Sequence, residues 1–141
     1  MSRYAVRTAA WPADAEALRA LRHEVFVVEQ EVPPAIEWDG RDPDCVHALA
    51  EDEHGNAVGC GRLLPDGHIG RMAVRRPWRN RGVGRALLRH LVALAREQGH
   101  ARVVLNAQVH ALQFYAREGF APEGPEFMEA GIAHQAMSRA L

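Results

Sequence analysis

The stretch R75-R-P-W-R-N-R-G-V-G-R-A-L-L88 packs five arginines around a Gly-Val-Gly and runs into an amphipathic pattern. Before it, H68-I-G-R-M-A-V-R-R76 reads as a strand. After Gly82, residues Val83, Ala86, Leu87, Leu91, Leu94 and Ala95 recur at helical spacing up to the stop at Gly99. A strand that turns over glycine into a helix makes an anion site. The first backbone N–H groups of the helix have no intrahelical partner, and the helix dipole adds positive charge there. Gly82 and Gly84 leave the backbone open to close approach, and Arg79, Arg81 and Arg85 supply directional donors suited to phosphate.

Two better-known phosphate loops do not fit. Walker A requires a lysine, and all 17 basic residues of this chain are arginine. The dinucleotide fingerprint fails at its third glycine, which is Leu87 counting from Gly82 and Leu64 counting from Gly59. Lysine nucleophiles and Schiff bases are excluded on the same ground.

Working outward, Tyr4–Arg7 reads as a first strand and 14–27 as an amphipathic helix. The segment V28-EQEVPPAIEWDGRDP-D44 reads as a long irregular loop, rich in proline, with six carboxylates against one arginine. Two apolar runs around E53-H-G-N56 form a hairpin, and Asp66-Gly67 turns into the strand before the arginine loop. A101-RVVLNAQ-V109 is a nearly continuous apolar run, as in a strand buried on both faces. A short helix ends at Gly119, and the tail supplies two more strands. The order is β-α-βββ-α-β-α-ββ, a mixed α/β fold in one layer, with a mostly antiparallel central sheet and helices on both faces.

At 141 residues the chain reads as one domain, 1–141, long enough to bury a core. A formal net charge of −1 confines any attraction for phosphate to a local patch. The arginines sit on one loop without an aromatic stacking platform, so no nucleic-acid partner is expected. No segment approaches a membrane span, and Cys45 and Cys60 are too few for a disulfide framework; the expectation is a cytoplasmic protein with reduced thiols and no membrane partner. His23-Glu24 opens like a zinc-protease motif, but its fifth position is Val27. Cys45, His47 and Cys60 do not form a recognisable ligand set, so no metal is expected.

Arg79-Asn80-Arg81-Gly82-Val83-Gly84 resembles the R/Q-x-x-G-x-G/A signature of the GNAT N-acetyltransferase superfamily. Phe114-Tyr115 before Glu118-Gly119-Phe120 resembles the later F-Y-x-x-x-G-F of that family. The element order agrees, and V25-FVVEQEV-P33 and G131-IAHQA-M137 are similar to its small bacterial ElaA-like subgroup. The resemblance spans the whole chain and implies acetyl-CoA as cosubstrate. It further implies that the strand at 72–74 is splayed, with backbone groups of Met72, Ala73 and Val74 along the pantetheine arm, that backbone groups of residues 81–85 hold the diphosphate, and that Asn106 sits near the arm where the two central strands part. A homodimer is one expected assembly.

Acetyl transfer to an amine needs a base, an oxyanion donor and an acid for the departing sulfur. The resemblance makes Tyr115 the acid and the amide of Ala73 or Val74 the oxyanion donor. Many family members carry a glutamate on the strand before the loop, whereas H68-IGRMA-V74 has no carboxylate. Glu29, His47 and His134 therefore stand as the candidate bases. The acidic loop is expected either to be solvated or to attract a cationic amine. The reading is a GNAT-type N-acyltransferase acting on a small or peptide amine by direct transfer; the alternative is a non-catalytic acyl-CoA-binding module.

Overall fold

The computed structural model describes residues 3–141. Strands β1 (Tyr4–Ala9), β2 (Val46–Asp52), β3 (Ala57–Leu63) and β4 (Ile69–Val74) form an antiparallel sheet in that order. Strands β5 (Arg102–Gln108), β6 (Ala121–Glu129) and β7 (Ile132–Ala140) form a second antiparallel sheet, with β7 in the middle. The single layer expected from sequence is thus parted in two. The sheets touch where the N–H of Val104 donates to the Gly67 carbonyl at 3.1 Å and His68 pairs in parallel with Val104. Beyond that bridge, β4 and β5 separate toward their C-terminal ends.

Helices cover both faces. Helix α3 (Val83–Glu97) buries Val83, Leu87, Leu88, Leu91, Val92 and Ala95 on one face. Gly59 and Gly61 of β3 allow it to pack closely. A Cβ at Gly59 would lie 2.9 Å from both Leu87 and Val83, and one at Gly61 would lie 2.5 Å from the Met72 sulfur. The Gly-Cys-Gly that fails as a nucleotide loop is therefore a packing groove.

On the opposite face, α1 (Ala15–Arg22) packs Leu18 and Leu21 against Leu49, Cys60 and Ala73. The expected helix over 14–27 is α-helical only as far as Arg22. It continues as a wider π-helical turn over His23–Glu29, in which the Gln30 N–H reaches back to the Val25 carbonyl at 3.2 Å. This widening keeps Val25 in the core while directing Phe26 and Gln30 toward the gap between the sheets. The loop that follows is not wholly irregular: it contains the short helix α2 (Pro34–Glu37) and a tight turn at Asp42–Asp44. The last helix, α4 (Leu112–Arg117), lies beside the N-terminus of α3, with the Phe114 ring 3.5 Å from where a Gly84 Cβ would stand.

One irregularity in β4 governs what its side chains face. Arg71 and Met72 together stand opposite Gly61, the two-against-one count of a β-bulge. Arg71 adopts φ +50°, a left-handed conformation that costs an arginine on the order of 1–3 kcal/mol. The bulge sends the Met72 side chain toward α3, while Arg71 reaches Ile36, Glu37 and Asp39 on the α1–α2 side.

Candidate active site

Where β4 and β5 part, a cleft of about 660 Å³ opens, lined by β4, the α1–α2 segment, the end of β5, α4 and the β6–β7 turn. At one end of it stands the arginine loop. Gly82 (φ +83°) and Asn80 (φ +63°) make the turn, and no side chain caps α3. The Ala86 N–H is the first to bond within the helix, to Gly82, which leaves the amides of Gly82, Val83, Gly84 and Arg85 without helical acceptors. These free donors on an open backbone fit a diphosphate.

The five arginines do not share one task. Arg75 pairs with Glu24, and Arg76 with Glu29. Arg79 forks onto both Glu29 oxygens at 3.0 and 2.9 Å and donates through Nε to the Val74 carbonyl at 2.8 Å. Arg81 lies over the Trp78 ring. Of these five, Arg81 and Arg85 make no ion pair to a carboxylate of the described residues. Much of the local positive charge is therefore spent fastening the loop to β4 and to the end of the π-helical turn.

Of the residues singled out from sequence, Met72, Ala73, Val74, Arg79, Asn106, Tyr115 and His134 line the cleft. Tyr115 packs edge-on to Phe114 and Phe120, its hydroxyl without a hydrogen bond to any described residue, and burial pushes its pKa up to about 12. It therefore stays protonated at neutral pH and can serve only as a donor. The Arg75 N–H bonds to Val58 of β3, so by strand alternation the Val74 N–H points away from β3, into the gap. Of the two oxyanion candidates, Val74 has the amide that faces the cleft.

His134 stands on β7 opposite Gln108, and Asn106 opposite Ala136, so by alternation Asn106, Gln108 and His134 share one face. The core residues Leu105, Ala107 and Met137 occupy the other, toward α3. The Nδ1–H of His134 donates to the Ile132 carbonyl at 2.7 Å, which leaves the Nε2 lone pair free. Phe127 stacks on the ring, and Glu129 lies 3.6 Å from Nε2.

The other two candidate bases are differently placed. Glu29 is engaged by Arg79 and Arg76 and is not part of the cleft lining. His47 is 2% exposed, donates through Nε2 to the Asp42 carbonyl and stacks on Trp11; burial lowers its pKa. Cys60 is buried and its thiol is pushed up to about 12 by that burial, so it is a poor nucleophile.

The acidic loop divides, which corrects the expectations for it in part: Glu31 and Asp44 are exposed, as in a solvated loop, whereas Glu37, Asp39 and Asp42 are taken up by arginines. Glu37 and Asp42 are 2% and 5% exposed and fold over two equally buried arginines, Arg22 and Arg62. Arg22 binds Glu37 and Asp42, Arg62 binds Asp39 and Asp42, and Arg71 completes the set on Glu37 and Asp39. Hydrogen bonding to Arg62 holds the Asp39 carboxyl well below the usual range. Burial would raise Asp42, but Arg22 and Arg62 outweigh it and lower it. No sequence signal separated Arg22 and Arg62 from surface arginines, because their partners lie 15 to 23 residues away in chain order.

The model of the acetyltransferase (GNAT) domain family matches residues 15–141. The chain belongs to the GNAT acetyltransferase family. Its relatives include YjcF of Bacillus subtilis (strain 168), named an uncharacterized N-acetyltransferase, 35% identical over 84% of this chain and 87% of that protein. Among solved structures, this GNAT acetyltransferase is similar to an acyl-CoA N-acyltransferase from Pseudomonas aeruginosa, with a TM-score of 0.85 and 31% identity over 99% of this chain and 100% of that one. It is also similar to Escherichia coli ElaA, with a TM-score of 0.82 and 31% identity over 99% of both chains. The protein is thus an acyltransferase of mixed α/β fold, as its sequence led us to expect. No helix among the described residues is long and apolar enough to cross a membrane.

Proposed function

We propose that the protein transfers an acetyl group from acetyl-CoA to a primary amine by direct attack in a ternary complex. The observation that carries this reading is the convergence, in one cleft, of an inward-facing β4 amide, a protonated Tyr115 and a histidine with a free lone pair, with an uncapped helix start beyond Arg79 at the cleft's end. The amides of Gly82 to Arg85 hold the diphosphate, and the edge of β4 from Met72 to Val74 holds the pantetheine arm alongside Asn106. Acetyl-CoA supplies an activated thioester carbonyl; the chain supplies everything else.

An amine with a pKa of about 10 is mostly protonated at neutral pH and must lose a proton before it attacks. His134 takes that proton on Nε2, directly or through one water, with Glu129 stabilising the imidazolium. The new C–N bond forms as the carbonyl oxygen gains negative charge, which the Val74 N–H stabilises. The C–S bond then breaks as the Tyr115 hydroxyl gives its proton to the sulfur; the nitrogen, which still carries one proton more than the amide keeps, returns that proton to the Tyr115 oxygen, and His134 releases the first proton to solvent. Glu29 acts as a positioning residue: through Arg79 it fixes the loop to the Val74 carbonyl and so sets the β4 edge.

His134→Gln tests the base. The account expects kcat/KM to fall about 100-fold, within the range for losing a general base, and the acid limb of the wild-type pH–rate profile to disappear. Acetyl-CoA affinity stays unchanged. A variant that keeps the wild-type pH profile would remove His134 from the mechanism.

A further inference from the structure

The two faces of β4 serve different partners. Met72 and Val74 turn their side chains toward α3 and the arginine loop, on the donor side. Arg71, displaced by the bulge, faces the α1–α2 side, the face that also presents Asn106, Gln108 and His134. Its guanidinium is fixed by three contacts through Nη2, to the carbonyls of Ile36 and Glu37 and to Asp39, while Nε lies 2.8 Å from Glu37. Nη1 has no partner among the described residues and is not among the buried unpaired atoms, so it is open to solvent.

The nearby carboxylates are already engaged by other guanidinium groups. Both Asp39 oxygens bond to Arg62, and Glu37 is shared with Arg22. The three guanidinium groups therefore meet three carboxylates, and Arg41 adds a fourth cation to the cleft wall with no ion-pair partner among the described residues. Of the remaining acids of the cleft, Asp66 pairs with His68 and lies within reach of the Arg41 charge, and Glu129 stands beside His134. Burial and the neighbouring charge of Arg62 also lower the Arg71 pKa, against the opposing pull of Glu37 and Asp39.

We propose that the acceptor is a small amino-carboxylate, such as a free amino acid, whose carboxylate docks on Nη1 of Arg71 while its amine faces Nε2 of His134. This inference rests on the acetyltransferase reading above and narrows its acceptor. An arginine held through Nη2 and by the ion pair of its Nε with Glu37, although that Nε is buried without an aligned hydrogen bond, presents Nη1 to a carboxylate oxygen. Arg41 stands along the same wall for acceptors with a second acidic group.

The test compares the standard amino acids with their carboxamides and their decarboxylated amines, by thiol release from acetyl-CoA. The expected result is a preference in kcat/KM of about 10–100-fold for the carboxylate forms, carried mainly by KM, as for loss of a hydrogen bond to a charged group. Arg71→Gln should bring the preference close to unity with acetyl-CoA affinity intact, and Arg71→Lys should restore part of it. If Arg71→Gln does not fold, the wild-type comparison and Arg71→Lys decide. A carboxylate preference that survives Arg71→Gln overturns the assignment to Arg71. Equal or better turnover of amides, polyamines or peptides overturns the acceptor class and leaves the acetyltransferase reading standing. Absence of turnover with every amine, despite acetyl-CoA binding, overturns both.

Discussion

Arg22→Met should destabilise the fold by about 3–5 kcal/mol, the range for removing one member of a buried ionic network. Arg22 is 1% exposed, and its loss would strand Glu37 and Asp42 in a low-dielectric interior with only Arg62 and Arg71 to compensate. A domain of this size has a total stability of roughly 5–15 kcal/mol, so the variant would stand near the limit of folding. The shape of the pH dependence separates lost charge pairing from lost packing. Asp39 and Asp42 titrate below their unfolded value of about 4, so their stabilisation is complete above that pH and is lost as pH falls below it. In Arg22→Met the stranded carboxylates prefer to be protonated, so acidification relieves the variant while it weakens the wild type. Thermal melts should therefore show the gap between the two narrowing on acidification. A gap that stays constant with pH would assign the loss to the stacking of the Arg22 guanidinium on the Trp38 ring.

Tyr115→Phe should lower kcat by about 100- to 1000-fold, within the range for a general acid, with the Kd for acetyl-CoA unchanged. The phenol is the one acid among the cleft residues of α4, and it makes no hydrogen bond that would mark it as a structural hydroxyl. The substitution keeps the ring that packs on Phe114 and Phe120, so stability should change little. Steady-state kinetics combined with calorimetric titration of acetyl-CoA checks both halves. An unchanged kcat would move the proton donation to solvent.

The legible part of this protein was local. The Gly82-Val83-Gly84 turn into α3, the hairpins and the FYAREGF helix announce themselves in neighbouring residues, because turn chemistry and helical spacing act over a few positions. The parting of β4 from β5 was legible only through the family resemblance, which implied it near residues 72–74 and Asn106; hydrophobic pattern gave one layer, since the parting depends on where ladder pairing stops between strands separated by a whole helix. The bulge at Arg71 was invisible for a similar reason: nothing in H68-IGRMA-V74 marks an arginine for a left-handed conformation, and Gly61, which makes room for Met72, lies on another strand.

The acidic loop shows the same limit in its charges. Composition correctly located six carboxylates in the stretch from Val28 to Asp44, but Arg22, Arg62 and Arg71, which bind three of them, Glu37, Asp39 and Asp42, come from α1, β3 and β4. A charge run read alone suggests solvent; only the fold brings three guanidinium groups to it. Arg79 is a parallel case within the signature itself. Its type and position suit phosphate, yet here it braces Glu29 and the Val74 carbonyl, leaving backbone amides as the loop's open donors.

The central claim is that this cleft makes an amide bond from acetyl-CoA. Parallel quantitation of free thiol and of N-acetyl product, by mass spectrometry, over a broad amine panel tests it most directly. The account predicts equal amounts of thiol and amide, appearing only when enzyme, acetyl-CoA and amine are all present. Tight acetyl-CoA binding with no amide from any amine would contradict it and make the protein an acyl-CoA-binding module.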